Sequence, residues 1–234
     1  NITNAYFILT DKMKEKVKRS FKNIYFERKF GKRSNDIFLP DCFGFGWALP
    51  SIAEHAGLKG FSTQKLTWGG SVDVPFDIGR WTGKDGKGLW CALKPGNYVT
   101  IAGDFRKNKA ALANLKENTE KYGNPKTFVY EGTGDRGGAP AKRSVKNIAK
   151  SVKLNAKNDI KVLFSSTKEF FDDMESLSSE EKSRIPVFDA ELLLTEHGAG
   201  SYTSRTVTKR WNRRCELLAD AAERFSVSAS MQGL

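Results

Sequence analysis

The chain has 234 residues, 39% of them hydrophobic, and a formal net charge of +12. This length and apolar content suffice for one large domain, or for one domain and part of another, and they exclude a disordered tail. No apolar run approaches the ~18–20 residues that a membrane-spanning helix needs. No signal-peptide pattern follows Asn1, so we expect a processed start or an internal piece of a longer protein, whose compartment stays open.

The first segment, residues 1–30, is basic and has a helical pattern. Met13, Val17 and Phe21 recur at helical spacing, which predicts a helix with its lysines on the outer face. Between positions 12 and 33, ten Lys or Arg stand against two Glu. Such a patch can bind nucleic acid, but the aromatic platforms and base-reading modules of such proteins are not evident. We therefore expect a solvated helix face and no nucleic-acid partner.

A short apolar run at residues 37–39 predicts a buried strand with Asp41 at its C-terminal end. Two glycines follow, and then a helical pattern over residues 47–56. In alternating strand–helix folds, the carboxyl ends of the strands and the loops after them build the active site. Asp41 therefore stands where a catalytic acid is placed. On spacing alone, a helix N-cap, which contributes ~0.5–2 kcal/mol, is the favoured interpretation of Asp41.

Strands and helices alternate along the rest of the chain, which is typical of a parallel sheet or barrel and predicts an α/β fold. Helix boundaries are marked by Gly123-Asn124-Pro125 and by acids close behind Thr167. The predicted elements are a strand at 60–66, short excursions at 74–78 and 88–93 around a turn, a helix at 107–122, a strand at 127–130, a helix at 142–154, a strand at 159–164, a helix from Thr167 and a strand at 187–194.

A glycine-rich loop at residues 131–140 carries a second carboxylate, Asp135. Such a loop can cradle a phosphate, but no Gly-Lys-Ser/Thr sequence follows, so a P-loop is excluded. The last predicted element is a long helix, since apolar residues recur there at alternating spacings of four and three. That periodicity predicts a bundle helix. The residues are Trp211, Cys215, Leu218, Ala222 and Phe225.

Three blocks of the chain resemble, in the same order, the family 38 glycoside hydrolases, which are the retaining class II α-mannosidases. Residues 38–68, which include LPDCFGFGWALP, resemble the segment that carries the nucleophile. The loop at 131–140 is similar to the family's Gly-Asp-Gly-Gly-Gly-Gly-Pro loop, with Arg136 and Ala139 in place of glycines. The run from Tyr202 resembles the start of the helical middle domain.

The resemblance implies a domain division and a reaction. Residues 1–186 would form part of a β/α barrel-like catalytic domain, and residues 187–234 the last strand and the first helix of an α-helical bundle domain. Terminal α-mannosidic linkages would be hydrolysed with retention, through a covalent glycosyl-enzyme. This reaction needs two carboxyl groups about 5–5.5 Å apart. Asp41 would be the nucleophile and Asp135 the general acid/base.

Four further residues are candidates to contact an α-mannoside or a mannose-containing glycan. Phe43 would shape the sugar subsite, with core packing as its alternative. Lys65 and Trp68 would belong to the same wall. His197 would lie at the rim of the site, or be a plain loop histidine.

The resemblance also implies one zinc ion, held in the family by an upstream His-x-Asp, the nucleophile Asp and a downstream His. Asp41 matches one of these ligands. The chain has only two histidines, neither in the family's surroundings, and its three cysteines contain no CxxC pair. We therefore expect zinc in the longer protein, and we expect that this chain alone neither holds zinc tightly nor hydrolyses mannosides.

Two alternatives to an enzyme stay open. The departures at Arg136 and Ala139 are compatible with a non-catalytic carbohydrate-binding relative. The high positive charge is compatible with a basic nucleic-acid-binding module.

Overall fold

In the computed structural model, the described residues are 24–100, 103–135, 138–155, 159–198 and 204–233. The predicted helical stripe of Met13, Val17 and Phe21 lies outside them. The helices are α1 (Ile24–Phe30), α2 (Leu49–His55), α3 (Lys109–Tyr122), α4 (Lys142–Lys153), α5 (Thr167–Glu175), α6 (Ser179–Arg184) and α7 (Thr206–Met231). The strands are β1 (Asp36–Phe38), β2 (Gly44–Phe45), β3 (Gly60–Ser62), β4 (Ile78–Thr82), β5 (Gly88–Ala92), β6 (Val99–Thr100), β7 (Gly132–Thr133), β8 (Val187–Phe188) and β9 (Leu192–Leu193). Two 3-10 helices cover Lys65–Trp68 and Phe105–Lys107.

Five of the strands form one mixed sheet in the order β1-β3-β5-β4-β8. Strands β1, β3 and β5 are parallel, and β8 runs parallel to β4. Only the β4–β5 hairpin is antiparallel among these pairs of described strands. The predicted α/β class with a parallel-rich sheet is confirmed. The described strands follow an open order, so the barrel stays a prediction.

The centre of this sheet is the β4–β5 hairpin, in a region where the sequence predicts two short excursions at 74–78 and 88–93. Strands β4 and β5 pair over five residues each, and Trp81, Leu89 and Cys91 are fully buried. The predicted segment at 88–93 coincides with β5, whose Gly-Leu-Trp-Cys-Ala run is typical of a strand buried on both faces, but β4 begins only at Ile78. The polar turn between the two strands interrupts the apolar pattern, so the sequence does not show that the two segments form one hairpin.

The two faces of β5 pack into two hydrophobic clusters, because successive side chains of a strand point to opposite faces. Leu89 and Cys91 join Phe61 and Trp81 on one face. Trp90 and Ala92 lie in the other cluster, where α5 covers the sheet with Phe170, Phe171 and Met174. A side chain at Gly60 would overlap the Phe171 ring. This close approach of α5 to β3 therefore requires glycine at position 60.

Helix predictions are confirmed where local signals mark the ends. Helix α3 ends at Gly123, whose φ of +63° gives the left-handed cap that glycine adopts without strain. Helices α2 and α4 lie inside their predicted ranges. Helix α5 begins at Thr167 as predicted, and its cap is Ser166, which forms a capping box with Glu169.

Two of the predicted strands are wrong. Residues 159–164 are irregular, and Leu163 and Phe164 are 72% and 59% exposed. Residues 127–130 are also irregular, although Phe128 and Tyr130 pack edge-to-face on neighbouring rings. The apolar residues of 127–130 serve side-chain packing, those at 163 and 164 are exposed, and neither segment has the backbone pairing of a strand. The predicted strand at 187–194 divides into β8 and β9.

Helix α7 confirms the predicted long C-terminal helix. Its apolar residues, including Trp211, Leu218 and Phe225, are exposed, and none of its described residues is buried. Packing into a helical bundle therefore stays a prediction. Within the described residues, α7 included, no helix combines the length and the apolar character needed to cross a membrane.

Asp77, just before β4, is a buried carboxylate that ties α3 to the sheet. Its side chain accepts hydrogen bonds from Asn118 Nδ2 at 2.8 Å and Thr127 Oγ1 at 2.7 Å. Asp77 is only 1% exposed. Burial raises the pKa of Asp77 from 3.8 to about 6, although both hydrogen bonds oppose the shift.

We expect this carboxyl to make the fold less stable as the pH rises. A folded-state pKa raised from 3.8 to about 6 gives stability that is fully present below pH 3.8 and lost as the pH rises through 6. The loss is about 2–3 kcal/mol between pH 4 and pH 8. Asp77→Asn keeps an oxygen acceptor and removes the charge, so the variant should gain stability over the wild type at pH 8.

Urea unfolding of both proteins at pH 4.5 and pH 8 measures this difference. Asp73→Asn, at an exposed site, is the matched control and should follow the wild type at both values. An equal pH dependence in the wild type and Asp77→Asn would contradict the prediction.

Candidate active site

Asp41 lies three residues after β1, in a turn held against the end of β3. Leu39 N donates to Ser62 O at 3.1 Å, and Gln64 N donates to Pro40 O at 3.4 Å. The Asp41 side chain is 49% exposed. It does not cap α2, whose N-cap position is Ala48 with no side-chain cap. The parallel pairing of β1 with β3 therefore presents this carboxylate at the carboxyl edge of the sheet.

Lys65, the first residue of the 3-10 helix after β3, contacts Asp41 directly. Its ammonium forms an ion pair with Asp41 Oδ1, and the Lys65 side chain is only 7% exposed. The same Nζ lies 3.6 Å from the centre of the Trp68 ring and 5.3 Å from that of Phe43. Cation–π attraction to the two rings helps to stabilise the charged Lys65 ammonium, which is largely removed from solvent. Asp41 thus carries its own buried counter-ion.

Phe43, Trp68 and His197 form an aromatic rim beside the ion pair. The His197 ring stacks on Phe43, with centroids 5.8 Å apart and an interplanar angle of 7°. It also meets Trp68 at 4.9 Å in an edge arrangement. A hydrogen bond fixes the Trp68 ring, because its Nε1 donates to Gln64 Oε1 at 3.0 Å. Rings of this kind supply the apolar surface that small-molecule sites need beside a few polar groups.

The rim is assembled by the antiparallel pairing of β2 with β9. Gly44 pairs with Leu193, which brings the segment after Asp41 against the segment before His197. Gly198 has a φ of +81°, and a Cβ there would lie 2.6 Å from the Phe43 ring. Glycine at position 198 thus allows the chain to turn against Phe43.

Asp135 follows β7 in a tight turn and has a φ of +58°, in the left-handed region. Its Oδ1 accepts a hydrogen bond from the Tyr98 hydroxyl at 2.6 Å. That bond raises the pKa of Tyr98, and desolvation and the negative charge of Asp41 act in the same direction. The Tyr98 phenol therefore lies within electrostatic reach of both carboxylates, although they come from loops far apart in sequence.

Sequence reasoning missed Tyr98 as a member of this site. It lies just after Pro95-Gly96-Asn97, in a segment without a recognisable motif. Its position follows from the pairing of β6 with β7, which joins Val99 to Thr133 and so sets Tyr98 opposite Gly134. No local pattern contains that information.

The described residues do not form a metal site by themselves. Among them, no group of three or more His, Cys, Asp or Glu side chains lies close enough to hold an ion. Asp41 offers one carboxylate, and its Oδ1 already contacts the Lys65 ammonium. One shared carboxylate is short of the four ligands that protein-bound zinc takes.

Comparisons with known proteins agree with the resemblance. The family model "Glycosyl hydrolases family 38 N-terminal domain" matches residues 1–191. Similar proteins include alpha-mannosidase G of Dictyostelium discoideum, 31% identical over 85% of this chain and 17% of that protein. They also include alpha-mannosidase 2C1 of Homo sapiens, 29% identical over 86% of this chain and 18% of that protein.

A solved alpha-mannosidase from Enterococcus faecalis is similar with a TM-score of 0.48 and 17% identity, over 76% of this chain and 20% of that one. The chain spans about a fifth of the length of the proteins it matches. The family match covers most of the chain and contains Asp41 and Asp135. The chain therefore belongs to family 38 of the glycosyl hydrolases, in the N-terminal domain of that family.

Proposed function

We propose that the full-length protein containing this chain is a retaining α-mannosidase, with Asp41 as nucleophile and Asp135 as general acid/base. The observation that carries the proposal is that the Tyr98 phenol donates to Asp135 and has its pKa raised by the charge of Asp41 as well, beside an exposed aromatic rim. Membership of family 38 and the names of the similar proteins support hydrolysis of α-mannosides.

Each carboxylate has one oxygen engaged by a neighbouring residue. Lys65 contacts Asp41 Oδ1, so Asp41 Oδ2 is the oxygen that attacks the anomeric carbon. As that bond forms, the bond to the leaving oxygen breaks and Asp135 gives that oxygen a proton. Water then attacks the same carbon and gives its proton to Asp135, and the bond to Asp41 breaks. Two inversions give net retention.

The aromatic rim would hold the sugar during both steps. The His197 ring contacts both Phe43 and Trp68, and the Lys65 ammonium lies over the rings of Phe43 and Trp68. An apolar sugar face packing on such rings is oriented toward Asp41, and orientation of the reacting groups lowers the barrier. Lys65 lies beneath the rim, so we assign its primary contact to Asp41 and a weaker one to the sugar.

A zinc ion would need further ligands in addition to Asp41. We propose that this stretch contributes one ligand, Asp41, to a zinc ion of the full-length protein. Among the described residues, no three His, Cys, Asp or Glu side chains are grouped so that they could hold the ion. Zinc supplies Lewis acidity and a grip on sugar hydroxyls when it is bound. Metal analysis of the 234-residue chain alone should find no tightly held zinc, because one carboxylate is a weak site.

The proposal is tested by trapping the covalent intermediate. Incubation of the full-length protein with a fluorinated mannosyl fluoride should add one sugar, and peptide mass spectrometry should find it on Asp41. The first-formed mannose should have the α configuration. A label on another carboxylate would overturn the assignment of Asp41. Tight binding of the sugar without any label or turnover would instead indicate a non-catalytic carbohydrate-binding relative.

A further inference from the structure

We propose that Tyr98 is a positioning residue that dictates which oxygen of Asp135 exchanges the catalytic proton. The inference rests on the proposed function, because it concerns the same two carboxylates. It adds a role for a residue that lies outside every sequence motif considered above.

Tyr98 contacts the loop of Asp135 through its backbone and through its ring. Gly134 N donates to Tyr98 O at 3.0 Å, which continues the β6–β7 pairing by one residue. The Tyr98 ring also packs so closely on Gly134 that a Cβ there would overlap it. The ring and the turn that carries Asp135 are therefore held as a unit, and the phenol oxygen has a fixed place relative to the carboxyl group.

The Tyr98 hydroxyl is a single donor directed at one oxygen of Asp135. A phenol has one O–H, and here it points at Asp135 Oδ1, 2.6 Å away. Because the acceptor is a carboxylate oxygen, the Tyr98 hydroxyl is the donor of this pair. Tyr98 thus stays a donor and is not itself the proton source for the sugar.

The geometry settles the placement of the proton on Asp135. Oδ1 already accepts the Tyr98 hydrogen, and the carbonyl oxygen of a carboxylic acid is a better acceptor than its hydroxyl oxygen. A protonated Asp135 therefore holds its proton on Oδ2. In the first step that proton passes from Oδ2 to the leaving oxygen as its bond to the sugar breaks. In the second step Oδ2 takes the proton of the attacking water, and Tyr98 keeps its own throughout.

The test is Tyr98→Phe in the full-length protein, because this change removes the donor and keeps the ring that packs on Gly134. Values of kcat/KM are compared for dinitrophenyl and methoxyphenyl α-mannosides. The first leaving group departs without a proton, whereas the second needs one. General acid catalysis contributes ~10²–10⁴-fold, so we expect a loss of about 10- to 100-fold on the methoxyphenyl substrate and little loss on the dinitrophenyl one.

A purely structural role would lower both values equally, and that result, like an unchanged variant, would overturn the inference. Tyr122→Phe, at the end of α3 and outside the site, is the matched control and should change neither value. Trapping of the label on Asp41 is measured in the same variant. If Asp41 is labelled, but Tyr98→Phe changes kcat/KM to the same extent for both leaving groups, only the proposed role of Tyr98 is wrong. If the wild type gives no label at Asp41, the proposed function itself fails.

Discussion

Asp41→Asn in the full-length protein should lower kcat on aryl α-mannosides by on the order of 10⁴-fold or more, because an amide cannot form the covalent intermediate. The Asn side chain has nearly the same shape and keeps an oxygen that can accept from Lys65. We therefore expect the fold and the sugar affinity to persist while turnover is lost. Steady-state rates, together with binding of a non-hydrolysed mannoside, measure the two effects separately.

The matched control for this change is Asp220→Asn, which removes an exposed carboxylate on α7 that pairs only with Arg224 among the contacts described. Such surface pairs contribute little, so its rate should equal that of the wild type. Near-normal turnover in Asp41→Asn would show that another group attacks the sugar.

Lys65→Met should lower kcat/KM by about 10²-fold, because displacing a reacting group from its productive position costs roughly this much. Methionine keeps the length of the buried stem and its contact with Trp68, but it has no charge to hold Asp41 Oδ1. The Asp41 carboxylate is then free to rotate, so Oδ2 is no longer held in the orientation proposed for attack on the anomeric carbon. The same aryl mannoside assay measures the loss.

Two companion variants separate charge from packing at this position. Lys65→Arg keeps a cation that can pair with a carboxylate, so it should recover most of the lost activity. Lys116→Met, at an exposed lysine of α3, should leave the rate unchanged. Full activity in Lys65→Met would mean that Asp41 is positioned by something other than its ion pair.

Local chemistry explains which parts of the fold were predictable from sequence. Helix α3 carries its own ending signal in Gly123, and α5 carries a capping box at Ser166. Asp41 was placed in a turn after a strand by its apolar run and glycines. In contrast, the apolar residues at 159–164 gave a strand that does not exist, since a short apolar run is compatible with several packed or irregular structures.

The parts of the site that escaped prediction depend on contacts between distant segments. Lys65 was expected at a sugar-contacting wall, and its ion pair with Asp41 becomes visible only when β1 pairs with β3. Tyr98 comes into contact with Asp135 only when β6 pairs with β7. Strand pairing of this kind depends on tertiary context, which no window of neighbouring residues contains.

The pairing of β2 with β9 has a consequence for how the molecule comes to be made. It joins positions about 150 residues apart, so the entropy of closing a long loop must be met before Phe43 gains its stacking partner. During synthesis, Phe43 would leave the ribosome long before the segment that carries its stacking partner, His197. We therefore expect the aromatic rim beside Asp41 to form later than contacts between neighbouring segments, such as the β4–β5 hairpin.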